Sequence, residues 1–110
     1  MKYNVYMIAF KTKADVRVVD VPEEEIAGKD EEGVLDKIFY YGQNEFQSRL
    51  FPSVSVGDVI EKGDKLFMVL CAGFAEMTRQ EFDKVDGPLG FRAYDNINNI
   101  ISGVVKTCVN

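Results

Sequence analysis

Residues 3–10 carry apolar side chains in both phases of a two-residue alternation, and no other stretch restricts the fold as much. Tyr3, Val5, Met7 and Ala9 fall on one side of an extended chain, and Tyr6, Ile8 and Phe10 on the other. A strand that is apolar on both faces must be covered on both. The polar segment KTKAD follows, then DVRVVDV, which is β-branched and strand-like. The two strands are expected to form an antiparallel hairpin with a loop of about four residues, ended by Pro22, which cannot donate to a ladder.

Helix signals come next. The Asp30 carboxylate is placed to cap a helix in which Val34, Leu35, Ile38, Phe39 and Tyr41 share the core-facing side, with Gly42 as a C′ residue of positive φ. Residues 43–56 read as an ordered loop, with Phe46, Leu50 and Phe51 buried beneath it. Val59 and Ile60 form a short strand, Lys62-Gly63-Asp64 a turn, and residues 66–71 a central strand. Thr78 and Glu81 have the spacing of a capping box, Met77 and Phe82 that of a hydrophobic staple, and Gly87-Pro88 a stop. In the tail, Asp95 is a candidate cap for Ile97, Ile100, Ile101, Val104, Val105 and Cys108, which recur at helical steps. Their β-branching and Gly103 oppose a helix, so helix and strand both stay open there. The expectation is one α+β domain over residues 1–110, with about four mainly antiparallel strands and two to three helices.

The side chains on offer narrow the chemistry. There is no histidine among the 110 residues, so Ser-His and Cys-His nucleophiles, imidazole zinc ligands and an imidazole base are excluded. Phosphate-cradle and nucleophile-elbow motifs are absent from the sequence. The pairs Asp58/Glu61 and Glu81/Asp83 lack a diagnostic spacing. No catalytic residue, metal ligand or cofactor is assigned. Ser53 and Ser55, without a base, read as turn residues whose hydroxyls bond backbone N–H groups two or three positions on, with Gly57-Asp58 turning into the next strand. Cys71 and Cys108 read as small buried hydrophobes, and whether they meet stays open.

Charge is concentrated. Residues 20–36 hold eight acids and one base, a net −7, whereas the rest of the chain holds ten acids and twelve bases. Such a chain is not expected to bind nucleic acid directly, which needs clustered cations. A local acidic run is usually a solvated face and here leads into an acidic first helical turn. The sharper reading makes Glu23, Glu24 and Glu25 a surface for a basic protein partner. Tyr41, Gln43, Asn44 and Gln47 form the other candidate binding surface, since tyrosine offers area and amides adaptable hydrogen bonds. The alternative there is that the amides satisfy local backbone. The longest apolar run, residues 66–72, is far below the roughly 20 residues a bilayer needs, and no secretory pattern opens the chain. A cytoplasmic protein is expected.

Residues 34–77 combine a VLDKIFYY helix, a loop with Asn44, the segment SVSVGDVI (Ser53, Ser55, Val56, Gly57, Asp58, Val59, Ile60), a hairpin, and a strand ending at Gly73 and Phe74. This arrangement resembles the YodL-like domain and related small proteins of bacteriophages and mobile elements. The resemblance implies a non-enzymatic accessory domain that counters host defences or modulates host proteins, and it supplies no catalytic residues. The leading expectation is therefore a small modulator acting by protein–protein contact. The rivals are a small-ligand or nucleotide-binding module with its pocket beside Asn44 and Asp58, and an enzyme using carboxylates or an oxygen-held metal. Oligomeric state cannot be read from these residues.

Overall fold

The computed structural model describes residues 1–12, 14–46 and 52–84. In chain order the elements are β1 (Lys2–Tyr6), β2 (Val16–Asp20), α1 (Glu23–Ile26), α2 (Glu31–Tyr41), β3 (Val59–Lys62), β4 (Lys65–Val69), β5 (Phe74–Met77) and α3 (Arg79–Lys84). The strands form one sheet in the order β2-β1-β3-β4-β5, antiparallel at every step. The fold is α+β, as expected, with five strands where about four were expected. The tail proposed around Ile97–Cys108, the Gly87-Pro88 stop, Leu50 and Phe51 lie outside the described residues.

The two-phase apolar pattern corresponds to two buried layers. In register, Val5 opposes Ile60 and Ile60 opposes Phe67, all facing α2; Tyr6 opposes Val59 and Val59 opposes Met68, facing the other way. On the first face Val34, Leu35 and Ile38 of α2 pack against Tyr3, Val5, Val19, Ile60 and Phe67. On the second, Phe82 of α3 packs with Val59, Leu66, Met68, Ala75 and Met77. Met77 and Phe82 meet in that cluster, as a hydrophobic staple requires. The capping box is complete: Thr78 N donates to Glu81 Oε1 at 2.8 Å, and Glu81 N to Thr78 Oγ1 at 3.1 Å. Glu61 further ties α3 to the sheet, accepting from Asn4 Nδ2 (3.1 Å) and Tyr6 Oη (3.2 Å), with Arg79 Nη2 at 3.5 Å.

Several expectations need correction. The β1–β2 connection runs from residue 7 to residue 15, longer than a four-residue loop. After Met7 N has bonded Asp15 O, Ile8 N turns back to Tyr6 O and Lys11 N to Met7 O, so the chain curls away from the sheet. Phe10 is thereby carried into solvent, 63% exposed. Part of the acidic stretch is the short helix α1, and the segment after Gly73 is the strand β5; neither was expected. Gly63-Asp64 alone forms the β3–β4 turn, with Gly63 at φ +64° between the paired Lys62 and Lys65, as in a II′ hairpin. Phe46 is exposed and not a core plug, because its ring lies on Tyr40 and Tyr41 at 4.9 and 5.0 Å between centroids. Cys71 is exposed in the β4–β5 turn, past the end of the buried strand. Cys108 lies outside the described residues.

Asp30 caps α2 through Gly33 N at 2.8 Å, as expected, but the other end of the helix differs. Gly42 has φ −77°, ordinary right-handed backbone. Glycine is needed there for space: a Cβ would lie 2.5 Å from Val54 Cγ2 and 3.1 Å from Ile38 O. Gly42→Ala is expected to lose about 1–3 kcal/mol of stability through overpacking. In urea unfolding, adding Val54→Ala should cost less than the sum of the two single losses, by at least about 0.5 kcal/mol. Additive losses would show that the two residues do not collide.

Candidate functional site

The SVSVGDVI segment is held by a buried carboxylate. Asp58 is 1% exposed; its Oδ1 accepts from Ala9 N at 2.9 Å and its Oδ2 from Ser55 N at 2.8 Å. Gly57 makes the turn at φ +99°. The serine hydroxyls act differently from the expectation. Ser53 Oγ accepts from Asn44 N at 2.9 Å, across to the preceding loop, and Ser55 Oγ donates to Ser53 O at 2.9 Å. The bond back to the Ser55 N–H comes from Asp58 instead.

The Tyr-amide loop is tied down from within. Gln43 Nε2 donates to Phe39 O (2.8 Å) and Val54 O (3.1 Å). Asn44 Oδ1 accepts from Arg17 Nη1 at 2.8 Å, and the same nitrogen reaches Pro52 O at 2.8 Å. Arg17 is 3% exposed, and burial moves its guanidinium below the usual range. Sequence reasoning missed this cation, although Arg17 shares the inward phase of β2 with Val19. Tyr41 is half-buried and sits edge-on to Tyr40 at 5.1 Å; burial, then nearby Glu25, push its hydroxyl up. Gln47 lies outside the described residues.

Glu23, Glu24 and Glu25 form the first turn of α1. Glu23 and Glu24 are exposed, whereas Glu25 pairs with Lys37 of α2 at 3.1 Å. The hydrogen bond and charge of Lys37 hold the Glu25 carboxyl below its ordinary value.

A concave surface lies between α2 and the β4–β5 hairpin. A groove of about 400 Å³ is lined by Glu31, Glu32 and Leu35 of α2 and by Phe67, Leu70, Ala72, Gly73, Phe74 and Glu76. It adjoins a hollow of about 210 Å³ lined by Asp36, Phe39, Val56, Val69, Leu70, Cys71, Gly73 and Phe74. Two wall residues, Gly73 and Phe74, were singled out from sequence as structural; Gly73, at φ +98°, turns the chain into β5. Leu35, Phe67 and Leu70 are buried beneath the groove, which Glu31, Glu32 and Glu76 line; Asp36 lines the hollow, where half-buried Phe39, Val56 and Phe74 leave apolar surface. Glu31 has Lys65 at 3.3 Å. Glu32, Asp36 and Glu76 are exposed and make no ion pair among the described residues. Sequence reasoning counted Glu31, Glu32 and Asp36 in the acidic stretch but did not connect them with Glu76, because only the fold brings β5 beside α2. Among the described residues no group of three or more acids or cysteines is placed to hold a metal ion, and no helix is long and apolar enough to cross a membrane.

Asp58 makes a prediction about pH. Burial pushes its carboxyl up from 3.8 to about 6, outweighing the two N–H donors. The folded state therefore holds the Asp58 proton more tightly than the unfolded chain does. Its contribution is fully present below pH 3.8 and is lost as pH rises through about 6. Asp58→Asn removes that titration. Relative to the variant, wild-type unfolding free energy should fall by about 2 kcal/mol between about pH 4 and about pH 7. Carboxyls held low, such as Asp15 beside Thr12, act equally in both proteins and cancel. Parallel pH curves would show that Asp58 does not titrate in this window.

Comparison with known proteins gave no match: no family model fits the chain, and neither a curated protein nor a solved structure matches it.

Proposed function

We propose that this chain is a small non-enzymatic binding protein that acts by protein–protein contact through the acidic face formed by α1 and α2. One observation carries the reading: exposed carboxylates of α2, with no cation paired to them among the described residues, stand at a groove that runs into an apolar hollow. Glu23 and Glu24 project from α1, and Glu32 and Asp36 from α2. Solvated acids alone would need no groove, and a groove alone would not select a charge. Together they favour a basic partner, since complementary charge speeds encounter and rejects acidic competitors. The resemblance of residues 34–77 to YodL-like domains adds to the proposal a phage or mobile-element origin and a role in modulating host machinery.

The rival small-ligand reading, placed beside Asn44 and Asp58, has less support. Asn44 Oδ1 already accepts from Arg17, and both Asp58 oxygens accept from backbone N–H groups. These atoms hold the loop and are not turned toward a ligand.

Charge reversal tests the proposal. Glu23→Lys/Glu24→Lys combined with Glu32→Lys/Asp36→Lys alters exposed positions; three lie in first helical turns, so the thermal midpoint should drop by a few degrees while the circular dichroism spectrum stays that of the folded protein. Host proteins recovered with tagged wild-type protein at low salt should be lost with the reversed variant. Recovery of the same partners by both, in equal yield, would refute the acidic-face reading.

A further inference from the structure

The groove beside β5 has a shape and spacing that identify what it takes. Glu32 and Asp36 lie one turn apart on α2, about 6 Å along the axis, with Leu35 on the floor between them and Phe39 one step beyond. Glu76 stands on the opposite wall, on β5. Alternate side chains of an extended peptide are spaced by about 6.6 Å, close to that rise between the two helix positions. The half-buried Phe39, Val56 and Phe74 leave apolar surface in the hollow that the groove joins. A solvated acidic face needs neither this two-sided arrangement nor an apolar hollow at its end.

We infer that the groove between α2 and β5 is the docking site for an extended basic peptide segment of a partner protein. One or two bulky apolar side chains enter the adjoining hollow against Phe39, Val56 and Phe74, and flanking arginine or lysine side chains reach Glu32, Asp36 and Glu76. This inference rests on the protein-binding reading and specifies its contact point. Complementary charge on a cationic segment speeds its encounter with Glu32, Asp36 and Glu76. Apolar contact in the adjoining hollow then holds the segment after encounter.

The test uses the full chain and a short capped, dye-labelled peptide with arginines flanking a central leucine–phenylalanine pair. Anisotropy should show saturable binding that weakens as salt rises from about 0.01 M to about 0.15 M, where the screening length drops to about 8 Å. Replacing the arginines by glutamates, or the leucine–phenylalanine pair by serines, should each weaken binding at least about tenfold. Glu32→Lys/Glu76→Lys and Ala72→Trp change exposed groove positions and should do the same, whereas Glu23→Lys/Glu24→Lys should have less than about a threefold effect. Cys71 lines the adjoining hollow, so saturating peptide should slow its alkylation by iodoacetamide, read by peptide mass mapping. Unchanged affinity in both groove variants, or unslowed alkylation of Cys71 at saturation, would overturn the inference. If the four-residue reversal still abolished capture of host partners in that case, the acidic-face reading would stand and the groove assignment alone would fall.

Discussion

Two backbone N–H groups, those of Ala9 and Ser55, converge on one carboxylate that is almost wholly removed from water. Asp58 thereby joins segments 49 residues apart and fixes both the point where β1 leaves the sheet and the point where β3 begins. Its own backbone continues the junction, with Val69 N donating to Asp58 O and Gly57 N to Val69 O, each at 2.9 Å. The order β1-β3-β4 at the middle of the sheet follows from this knot. Burying an anion is costly, and the cost shows as a carboxyl that keeps its proton up to about pH 6. The anion is tolerated because each oxygen has a donor; an aspartate with only one would leave a buried acceptor unsatisfied.

Arg17 is the matching element at the other end of the loop. It reaches from β2 to Asn44 and Pro52, and so closes the segment that links the end of α2 to the β3 turn. Gly42, pressed against Val54, brings the helix end close to the same segment. The position of α2 is thus set by contacts around its C-terminal end and by the apolar layer beneath it. That leaves the flank bearing Glu32 and Asp36 facing β5 across the groove. Polar groups hold the scaffold on one side of the helix while carboxylates line the surface on the other.

Local patterns carried much of the architecture. The Asp30 cap, the Val34–Leu35–Ile38 face, the Thr78–Glu81 box and the Met77–Phe82 contact all depend on residues a few positions apart, and such signals survive in a single sequence. The misplaced features depend on distant partners. Ile8 to Phe10 alternate like a strand, yet Ala9 N is captured by Asp58, so the pattern breaks where a residue far along the chain intervenes. Phe46 looks like a core residue by composition, but its place is decided by Tyr40 and Tyr41. Arg17 was hidden because a charged residue among valines reads as an outward position. The groove was legible only in halves: its acids on α2 were plain in the charge count, while Glu76 and the apolar hollow join them through sheet topology.

The sheet order has a consequence for how the chain is made. β1 pairs with β2 nearby in sequence, but its other edge waits for β3, with Asn4 opposite Glu61. During synthesis, at roughly 5–20 residues per second, the first two strands leave the ribosome several seconds before β3 does. Through that interval β1 presents a bare edge of unpaired backbone N–H and C=O groups that invites neighbouring nascent chains. Translation pauses before residue 61 would lengthen this exposure, and the yield of native protein becomes a matter of elongation speed as well as of final stability.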